Sequence, residues 1–466
     1  MNTKNAWEKY PESQKKKIFA FAEGYRRFIS DCKTERECIT EAVKQAEAAG
    51  YKNLEDIIEG KKKLKSGDKV YAVNMKKAIL LFNIGSQPME AGMNILGAHV
   101  DSPRMDVKQN PLYEDNDLVL LDTHYYGGIK KYQWVAREMA LHGVVVLKTG
   151  KIIEVNVGEN LEDPVFCVTD ILVHLAEQQL KKDGEHVVEG EDLNLLVGSM
   201  PARKTPGKDD DKTKELVKKN ILDILKKKYG FGEEDFISAE LEIVPAGPAR
   251  DCGFDQSMIM GYGHDDRVCS YPSLIAHLES KDLKKTGVCI LVDKEEIGSV
   301  GATGMTSRFF ENTVAEVMDR TGQYSELALR RCLTNSKMLS SDVSSAFDPN
   351  YPSFFEPKNV AYLGHGVVFN KFTGARGKSM SNDASAEYLG ELRKIMDKNH
   401  VSFQTAELGK VDVGGGGTIA YILATYGMQV IDSGVAVLNM HAPAEIISKV
   451  DLYEALNCYK AFLKDA

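Results

Sequence analysis

The stretch MNILGAHVDSPR, Met93–Arg104, begins as an apolar run and ends abruptly in polar and charged side chains. A short, continuous apolar run is typical of a strand that is buried on both faces of a sheet. The polar end needs its own explanation, because charged side chains are rarely fully buried unless they are paired or bind a metal ion. The stretch therefore predicts a buried strand that brings His99 and Asp101 to the edge of a sheet.

An alternation of apolar runs and helices returns after Met258. The runs VCILVD, KMLSSDV, AYLGHGVVF and GVAVLNM are separated by helical patterns near Asp266–Ser280, Met305–Thr321 and Asp383–Asn399. Repetition of strand and helix favours an α/β sheet. At the other end of the chain, Trp7–Asp56 has the apolar spacing of two helices, which we expect to pack on this sheet.

Between about Pro111 and Pro245 the pattern changes to strand-like runs such as DLVLLDTHYY and GVVVLKTGKIIEVNV, with a helix predicted near Thr169–Leu180. The Lys- and Asp-rich stretch Lys204–Lys214 is predicted to be a solvated loop, and another helix is predicted after it. The 466 residues also exceed the roughly 100–200 residues of an ordinary domain. We therefore predict two domains: one is formed by residues 1–108 and 248–466, and the other, inserted domain by residues 109–247.

Composition excludes several classes of partner. The chain has 59 Lys and Arg against 68 Asp and Glu, a net charge of −9, so a broad positive surface for nucleic acid is not expected. No stretch approaches the roughly 18–20 apolar residues that span a bilayer, and the start of the chain lacks the apolar core of a signal peptide. The eight cysteines are scattered singly, as in proteins of a reducing compartment. We expect a cytoplasmic protein that binds neither nucleic acid nor membrane.

Five polar clusters lie where apolar runs end or meet helices, and in α/β sheets functional residues gather at such strand ends. Each cluster alone is more often an incidental strand end or a solvated surface. Their joint occurrence, however, indicates one metal centre. The clusters are GAHVDSPR (Gly97–Arg104), GHDDR (Gly263–Arg267), VDKEEIGS (Val292–Ser299), SSDVSSAFDPNYP (Ser340–Pro352) and LNMHAP (Leu438–Pro443).

The residue types in these clusters fit two zinc-like ions, which share a bridging carboxylate and take further nitrogen and oxygen ligands. Asp101 is the predicted partner that orients His99, since a ligating histidine usually gives its other N–H to an acceptor. Glu295 is the predicted general base, because adjacent glutamates at a strand end point in different directions and only one needs to ligate. The predicted metal ligands are His99, Asp265, Glu296, Asp342 and His441.

In this order, HVDSPR, DDR, KEEIGS, SSDVSSAFDPNYP and NMHAPAE resemble the aspartyl aminopeptidase and aminopeptidase I family of cocatalytic-metal exopeptidases over nearly the whole chain. The resemblance implies an α/β, mixed-sheet metallopeptidase catalytic domain with an inserted β-rich dimerisation domain. It also implies that dimers assemble into a tetrahedral homododecamer.

For the site, the resemblance implies that Asp265 bridges two metal ions and that Glu295 activates the bridging water. One metal site would be completed by His99 and Asp342, and the other by Glu296 and His441. It further implies that Asp101 orients His99 and that the Asp265–Asp266 peptide is cis. The expected cofactors are two divalent ions per chain, with zinc favoured and cobalt or manganese as alternatives.

The expected activity is that of a metallo-aminopeptidase, which removes N-terminal residues from peptides. A preference for acidic residues needs a cation in the specificity pocket, and VVFNKFTGARGKSMSND offers Lys371, Arg376 and Lys378. The family also places a histidine from a neighbouring subunit's inserted domain in the active site, where it binds the oxyanion. His174 is the nearest candidate, while Asp170 occupies a position where other members can carry histidine.

Two other readings share most of these features. A two-metal carboxypeptidase or amide deacylase would use the same ligands but would recognise a different part of its substrate. A non-catalytic, shell-forming assembly protein would keep the fold alone. The presence of Glu295 beside Glu296 argues against the second alternative, because a scaffold does not need a base next to a metal ligand.

Overall fold

The chain forms two compact units in a computed structural model that describes residues 4–203 and 214–466. The Lys- and Asp-rich stretch Lys204–Lys214, predicted from the sequence as a solvated loop, lies almost entirely outside the described residues. The first unit comprises the described residues up to Ser102, together with Ala249–Met440 and Glu445–Ala466, and the second comprises Pro103–Pro248 and His441–Ala444. In sequence, therefore, the second unit interrupts the first.

The strands are numbered in chain order. They are β1 (Lys52–Asn53), β2 (Lys69–Asn74), β3 (Ala78–Asn83), β4 (Met93–His99), β5 (Arg104–Asp115), β6 (Leu118–Tyr126), β7 (Met139–Val146), β8 (Ile152–Val157), β9 (Cys167–Val168), β10 (Leu195–Gly198), β11 (Ala239–Pro245), β12 (Arg250–Cys252), β13 (Met258–Gly261), β14 (Thr286–Val292), β15 (Lys337–Ser341), β16 (Ser344–Ser345), β17 (Val367–Asn370), β18 (Phe403–Thr405), β19 (Gln429–Gly434), β20 (Ala436–Leu438) and β21 (Glu445–Ser448).

The α-helices are numbered in the same way. They are α1 (Glu12–Asp31), α2 (Glu35–Ala48), α3 (Leu54–Glu59), α4 (Leu216–Lys228), α5 (His264–Glu279), α6 (Phe309–Arg320), α7 (Glu326–Thr334), α8 (Ala375–Lys378), α9 (Ala386–Lys398), α10 (Ala420–Ala424) and α11 (Lys449–Asp465). No helix of the described chain is both long and apolar enough to cross a membrane.

The first unit is built on a mixed sheet. Among the described residues the strand order is β1-β2-β3-β14-β4-β15-β19-β17-β18. The central strand β4 is parallel to β14 and to β15, while β3 and β17 run antiparallel to their neighbours β14 and β19. The α/β, mixed-sheet class expected from the sequence is therefore confirmed, and the parallel core places the carboxyl ends of β4, β14 and β15 at one edge.

Two apolar clusters cover the two faces of this sheet. Because side chains alternate across a strand, β4 contributes Leu96 and Ala98 to one cluster and Met93 and Ile95 to the other. Helices α1, α2, α5, α9 and α11 pack on the first side, and α6, α7 and α10 on the second. Burial on both faces explains why the sequence of β4 is continuously apolar rather than alternating.

The helices predicted in the first unit are present, with small shifts at their ends. In α1, Ile18, Phe28 and Ile29 are buried, as their spacing predicts. The helix predicted near Asp383–Asn399 begins later, because Ser385 caps it by accepting the N–H of Tyr388. Local capping chemistry, rather than the apolar pattern, thus sets the boundary.

The second unit is a sheet with one α-helix in its described part. The strand order there is β8-β7-β11-β5-β6-β10-β9, and α4 packs against β5, β6 and β10. The helix predicted near Thr169–Leu180 is wrong: the chain forms only short 3₁₀ turns at Val173–Leu175 and Gln179–Lys181. Helices are stabilised mainly by packing of an apolar face, and Leu172, Val173 and Leu175 are all exposed in this segment.

Candidate metal centre

Several ionisable side chains meet at the edge where the parallel strands end. β4 ends at His99, β14 is followed by the turn Glu295–Ile297, β15 is followed by Asp342, and α5 adds Asp265 in its first turn. Within residues 4–203 and 214–466, three groups of potential metal ligands have their ligand atoms within 4.8 Å of one another. These groups are His99, Asp265 and Glu296; His99, Glu295 and Asp342; and Asp265, Asp266 and Asp342.

His99 is fully buried, and a contact of its Nδ1 atom fixes the orientation of the ring. Its Nδ1 lies 3.0 Å from the carbonyl oxygen of Asp101. A carbonyl can only accept, so Nδ1 carries the hydrogen and the lone pair of neutral His99 is on Nε2. Nε2 lies 3.3 Å from Asp265 Oδ1 and 3.9 Å from Asp342 Oδ1, and it has no hydrogen-bond partner in the described chain. The ring thus presents the atom that a metal ion would need.

Asp101 contacts more than His99. Its carboxylate lies 3.3 Å from His99 Nδ1, and its two oxygens accept the backbone N–H groups of Glu295 and Glu296, each at 3.1 Å. One buried carboxylate therefore fixes a histidine and the backbone of the glutamate pair together. The motif HVD predicts only the first of these contacts, since the other two join segments far apart in sequence.

The backbone of Asp265 is held on both sides. Its N–H donates to Glu445 Oε2 at 3.1 Å, and its carbonyl accepts the Ser102 hydroxyl at 2.6 Å. The Asp265–Asp266 peptide is cis, as the family resemblance implies. Sequence reasoning missed Ser102 and Glu445 as supports, although both stand in the quoted motifs HVDSPR and NMHAPAE.

Gly263 sets the start of α5 directly before these residues. Its φ of 76° lies in the left-handed region that favours glycine. A Cβ at this position would come within 2.2 Å of the buried Arg267 guanidinium. The glycine of GHDDR therefore allows the chain to turn tightly enough to place Asp265 at the strand edge.

The cluster has more negative charge than its own side chains can balance. Burial raises the pKa of Glu295 to about 8, with Asp342, Asp101 and Asp265 adding to the shift and His99 opposing it. Burial also raises the pKa of Asp342 and of Asp266. Burial alone would lower the pKa of His99, but the neighbouring carboxylates of Asp101, Asp265 and Asp342 outweigh it and raise that pKa well above its usual value. The donor set therefore fits a divalent cation, which would supply the missing positive charge.

His441, the remaining predicted ligand, is not a member of these three groups. It is grouped with the second unit, and its Nδ1 lies 2.7 Å from the carbonyl oxygen of Gly128. As in His99, a carbonyl partner places the hydrogen on Nδ1 and leaves Nε2 as the potential donor to a metal. Sequence analysis did not identify Gly128 as an orienting residue.

The predicted substrate-binding cations are all exposed, and two of them are already paired. Lys371 and Lys378 lie 3.0 Å and 2.9 Å from the carboxylate of Asp383, and they hold the pKa of Asp383 below its usual value. Arg376 lies in the short element α8 with a φ of 40°, and makes no ion pair with any described residue. His174 is exposed in the turn Val173–Leu175 of the second unit.

The comparisons with known proteins concern nearly the whole chain. The family described as aminopeptidase I zinc metalloprotease (M18) matches residues 28–463. The chain is 63% identical over 462 residues to an M18 family aminopeptidase 1 of Clostridium acetobutylicum, covering 99% of this chain and 98% of that one. It is similar to the crystal structure of an M18 aminopeptidase from Thermotoga maritima, with a TM-score of 0.94, 41% identity and 100% of both chains covered. The mApe1 dodecamer of S. cerevisiae shares the fold, with a TM-score of 0.76, 19% identity, and 95% and 96% of the two chains covered.

Proposed function

The chain belongs to the M18 family of aminopeptidase I zinc metalloproteases, and on that premise we propose that it removes residues from peptide N-termini with two divalent metal ions and a glutamate base. As a member of this family it is a metallo-aminopeptidase, a hydrolase that acts on peptide bonds.

The convergence of acidic side chains around the buried His99 carries the proposal. We propose that Asp265 bridges the two ions, that His99 and Asp342 complete one site, and that Glu296 and His441 complete the other. The oriented Nε2 of His99 and the close carboxylates support the roles of His99, Asp265, Asp342 and Glu296. His441 is included because of its motif and its own hydrogen bond to Gly128. Zinc is the proposed metal, and cobalt and manganese accept the same ligands.

When bound, the ions would polarise the scissile carbonyl and lower the pKa of water in the site. Glu295 is half-buried at the edge of the cluster, so its carboxylate can reach both the site and an incoming substrate. A cation in the site lowers the raised pKa of Glu295 and leaves it unprotonated, as a general base must be. Glu295 then takes a proton from the attacking water and returns it to the departing amine. Asp101 positions Glu295 through its backbone N–H.

For the substrate, we propose a preference for acidic N-terminal residues. Among the three candidate cations, Arg376 supports this proposal best, because Lys371 and Lys378 already share the carboxylate of Asp383. A guanidinium also matches a carboxylate with two parallel hydrogen bonds. An acidic substrate side chain would compete with Asp383 for the two lysines.

We further propose that the chain assembles with copies of itself, as the mApe1 relative does. In the second unit Ile171, Leu172, Val173 and Leu175 are exposed, and a contiguous apolar segment of this kind is typical of a protein interface. If this segment is part of a dimerisation domain, it would place His174 in the active site of a neighbouring subunit. The cytoplasm remains the proposed compartment, since all eight cysteines are free thiols.

The test is hydrolysis of unblocked Asp, Glu, Leu and Lys aminoacyl-amides by metal-loaded protein, with N-acetylated amides and a chelated sample as controls. We expect chelator-sensitive cleavage of the unblocked set alone, fastest for Asp and Glu. Faster cleavage of Leu would overturn the acidic preference while leaving the aminopeptidase intact. Cleavage of the acetylated set would favour a deacylase instead.

A further inference from the structure

The second unit contains a cavity of about 820 Å³ between α4 and its sheet. The walls come from β5, β6, β7, β8, β10, β11 and α4 and are predominantly apolar. Small-molecule sites occupy roughly 300–1,000 Å³ and have mostly apolar walls with a few polar groups. The size and chemistry of this space therefore fit a bound small molecule. Typical lining residues are Leu121, Leu141, Val157, Ile221, Leu225 and Phe236.

Helix α4 has an apolar face that the rest of the described chain does not fully cover. Val217, Ile221, Ile224 and Leu225 recur at helical spacing. Of the residues of α4, all of which are described, only Val217 is buried, and Ile224 remains 45% exposed. Protein interiors are otherwise close-packed, so apolar walls that face a space of this size lack partner atoms.

The half-buried cation of the cavity wall, Arg137, lacks an anion, while Lys228 also lines the cavity but is exposed to solvent. The Nε atom of Arg137 is buried, has no hydrogen-bond partner in the described chain, and makes no ion pair there. Burial lowers the pKa of Arg137. The hydroxyl of Tyr229, also in the wall, is buried without a hydrogen bond to any described group. Glu138 lines the same cavity but is exposed to solvent and does not pair with Arg137. A half-buried guanidinium and a free hydroxyl in the wall of one apolar cavity are groups that a carboxylate can satisfy.

We propose that this cavity binds a small molecule with a long apolar body and a terminal carboxylate, such as a medium-chain fatty acid. The hydrocarbon chain packs against α4 and the sheet, and the carboxylate accepts hydrogen bonds from Arg137 and Tyr229. A peptide strand is a poorer occupant, because its backbone N–H and C=O groups would need partners that apolar walls do not provide. The site is independent of the metal centre and of the proposed peptidase mechanism.

Isothermal titration calorimetry with decanoate tests the proposal, with 1-decanol as the uncharged probe of equal length. We expect saturable decanoate binding, and binding of 1-decanol that is about tenfold or more weaker. Arg137→Met should weaken decanoate binding by a similar factor and leave 1-decanol binding unchanged. Arg330→Met is the matched control, since Arg330 is exposed on α7 and pairs only with Glu326 among the described residues.

Ile221→Trp provides a second variant that fills the cavity instead of changing its charge. It should abolish decanoate binding while aminopeptidase activity and the circular dichroism spectrum stay those of the wild type. The proposal is overturned by absent decanoate binding, by equal binding of both probes, or by decanoate binding that survives both Arg137→Met and Ile221→Trp. If Arg137→Met does not fold, the comparison of the two probes and Ile221→Trp decide the question.

Discussion

The acidic cluster of the first unit and the apolar cavity of the second contain buried charge of opposite sign. In the first, acidic side chains cluster around His99 and Asp342, and the pKa values of Glu295, Asp342 and Asp266 are raised. In the second, Arg137 lies in an apolar wall without an anion, and its pKa is lowered. Desolvation penalises charge in both places, so the sign of the uncompensated charge indicates the sign of the ligand. Charged side chains without a balancing partner can therefore identify the class of ligand where the fold alone cannot.

The largest expected effect is a loss of turnover in Glu295→Gln without a loss of bound metal. Glu295→Gln keeps the size of the side chain but cannot take a proton, so turnover should fall by about 10²–10⁴-fold. Bound metal per chain, measured by plasma mass spectrometry, should stay unchanged. Glu316→Gln, at an exposed position of α6, is the control. Near-normal turnover in Glu295→Gln would remove the base from the proposed mechanism.

A smaller loss is expected when the support of the ligands is weakened. Asp101→Asn replaces one of two acceptor oxygens, which hold the N–H groups of Glu295 and Glu296. Metal affinity or activity should fall by about 10–100-fold, the usual range for residues that orient ligands. A competitive chelator titration measures the affinity, with the exposed Asp117→Asn as control. Unchanged affinity and activity would show that Asp101 is structural only.

Ser102→Ala should have a mainly thermodynamic effect. It removes the hydroxyl that donates to the buried carbonyl of Asp265, which costs about 1–3 kcal/mol of unfolding free energy. Urea denaturation of the metal-free variant measures this loss. If stability is unchanged while metal affinity falls, the hydrogen bond serves the site and not the fold.

The smallest expected effect is a pH dependence of stability that is stronger in the metal-free protein. An acid whose folded pKa is raised binds more protons when folded, so stability falls as pH rises from its unfolded pKa towards its folded pKa. For Glu295 that fall extends to about pH 8. The raised pKa of His99 acts in the same direction. Burial lowers the pKa of His264 to about 3 and that of His277 to about 4. These two histidines make stability rise with pH, but only at pH values below the ordinary pKa of histidine.

Between about pH 6.5 and 8.5 the Tm of metal-free protein should therefore drop by a few degrees. Zinc-loaded protein should show a smaller drop, because the cation stabilises the ionised carboxylates. Calorimetry at the two pH values, with and without zinc, measures both. A Tm of the metal-free protein that rises over this interval would contradict the inferred excess of buried acid.

Local patterns in the sequence predict the fold and the strand-end motifs well. The apolar run of β4, the α/β class and the cis peptide at Asp265 follow from contiguous residues or from the family resemblance. The supports of the site could not be predicted in this way. The hydrogen bond from Glu295 to Asp101 joins residues 194 positions apart, and that from Asp265 to Glu445 joins residues 180 apart. Such pairings depend on tertiary structure that no single motif contains.

In the second unit, apolar patterns in the sequence did not predict how the segments pack. The apolar residues of Thr169–Leu180 predicted a helix, but those residues are exposed and form only short turns. In α4 the periodicity correctly indicates a helix with an apolar face. How closely that face packs depends on the distance between helix and sheet, which periodicity does not encode. The cavity beside Arg137 was therefore visible only in the structure.

The central claim is tested most directly by titrating metal-free protein with zinc while following bound metal and hydrolysis of Asp-amide in the same samples. We expect two ions per chain at saturation, activity that appears only as they bind, and one ion per chain in His441→Ala. Saturation at a single ion in the wild type, or activity that persists without metal, would contradict the two-metal account.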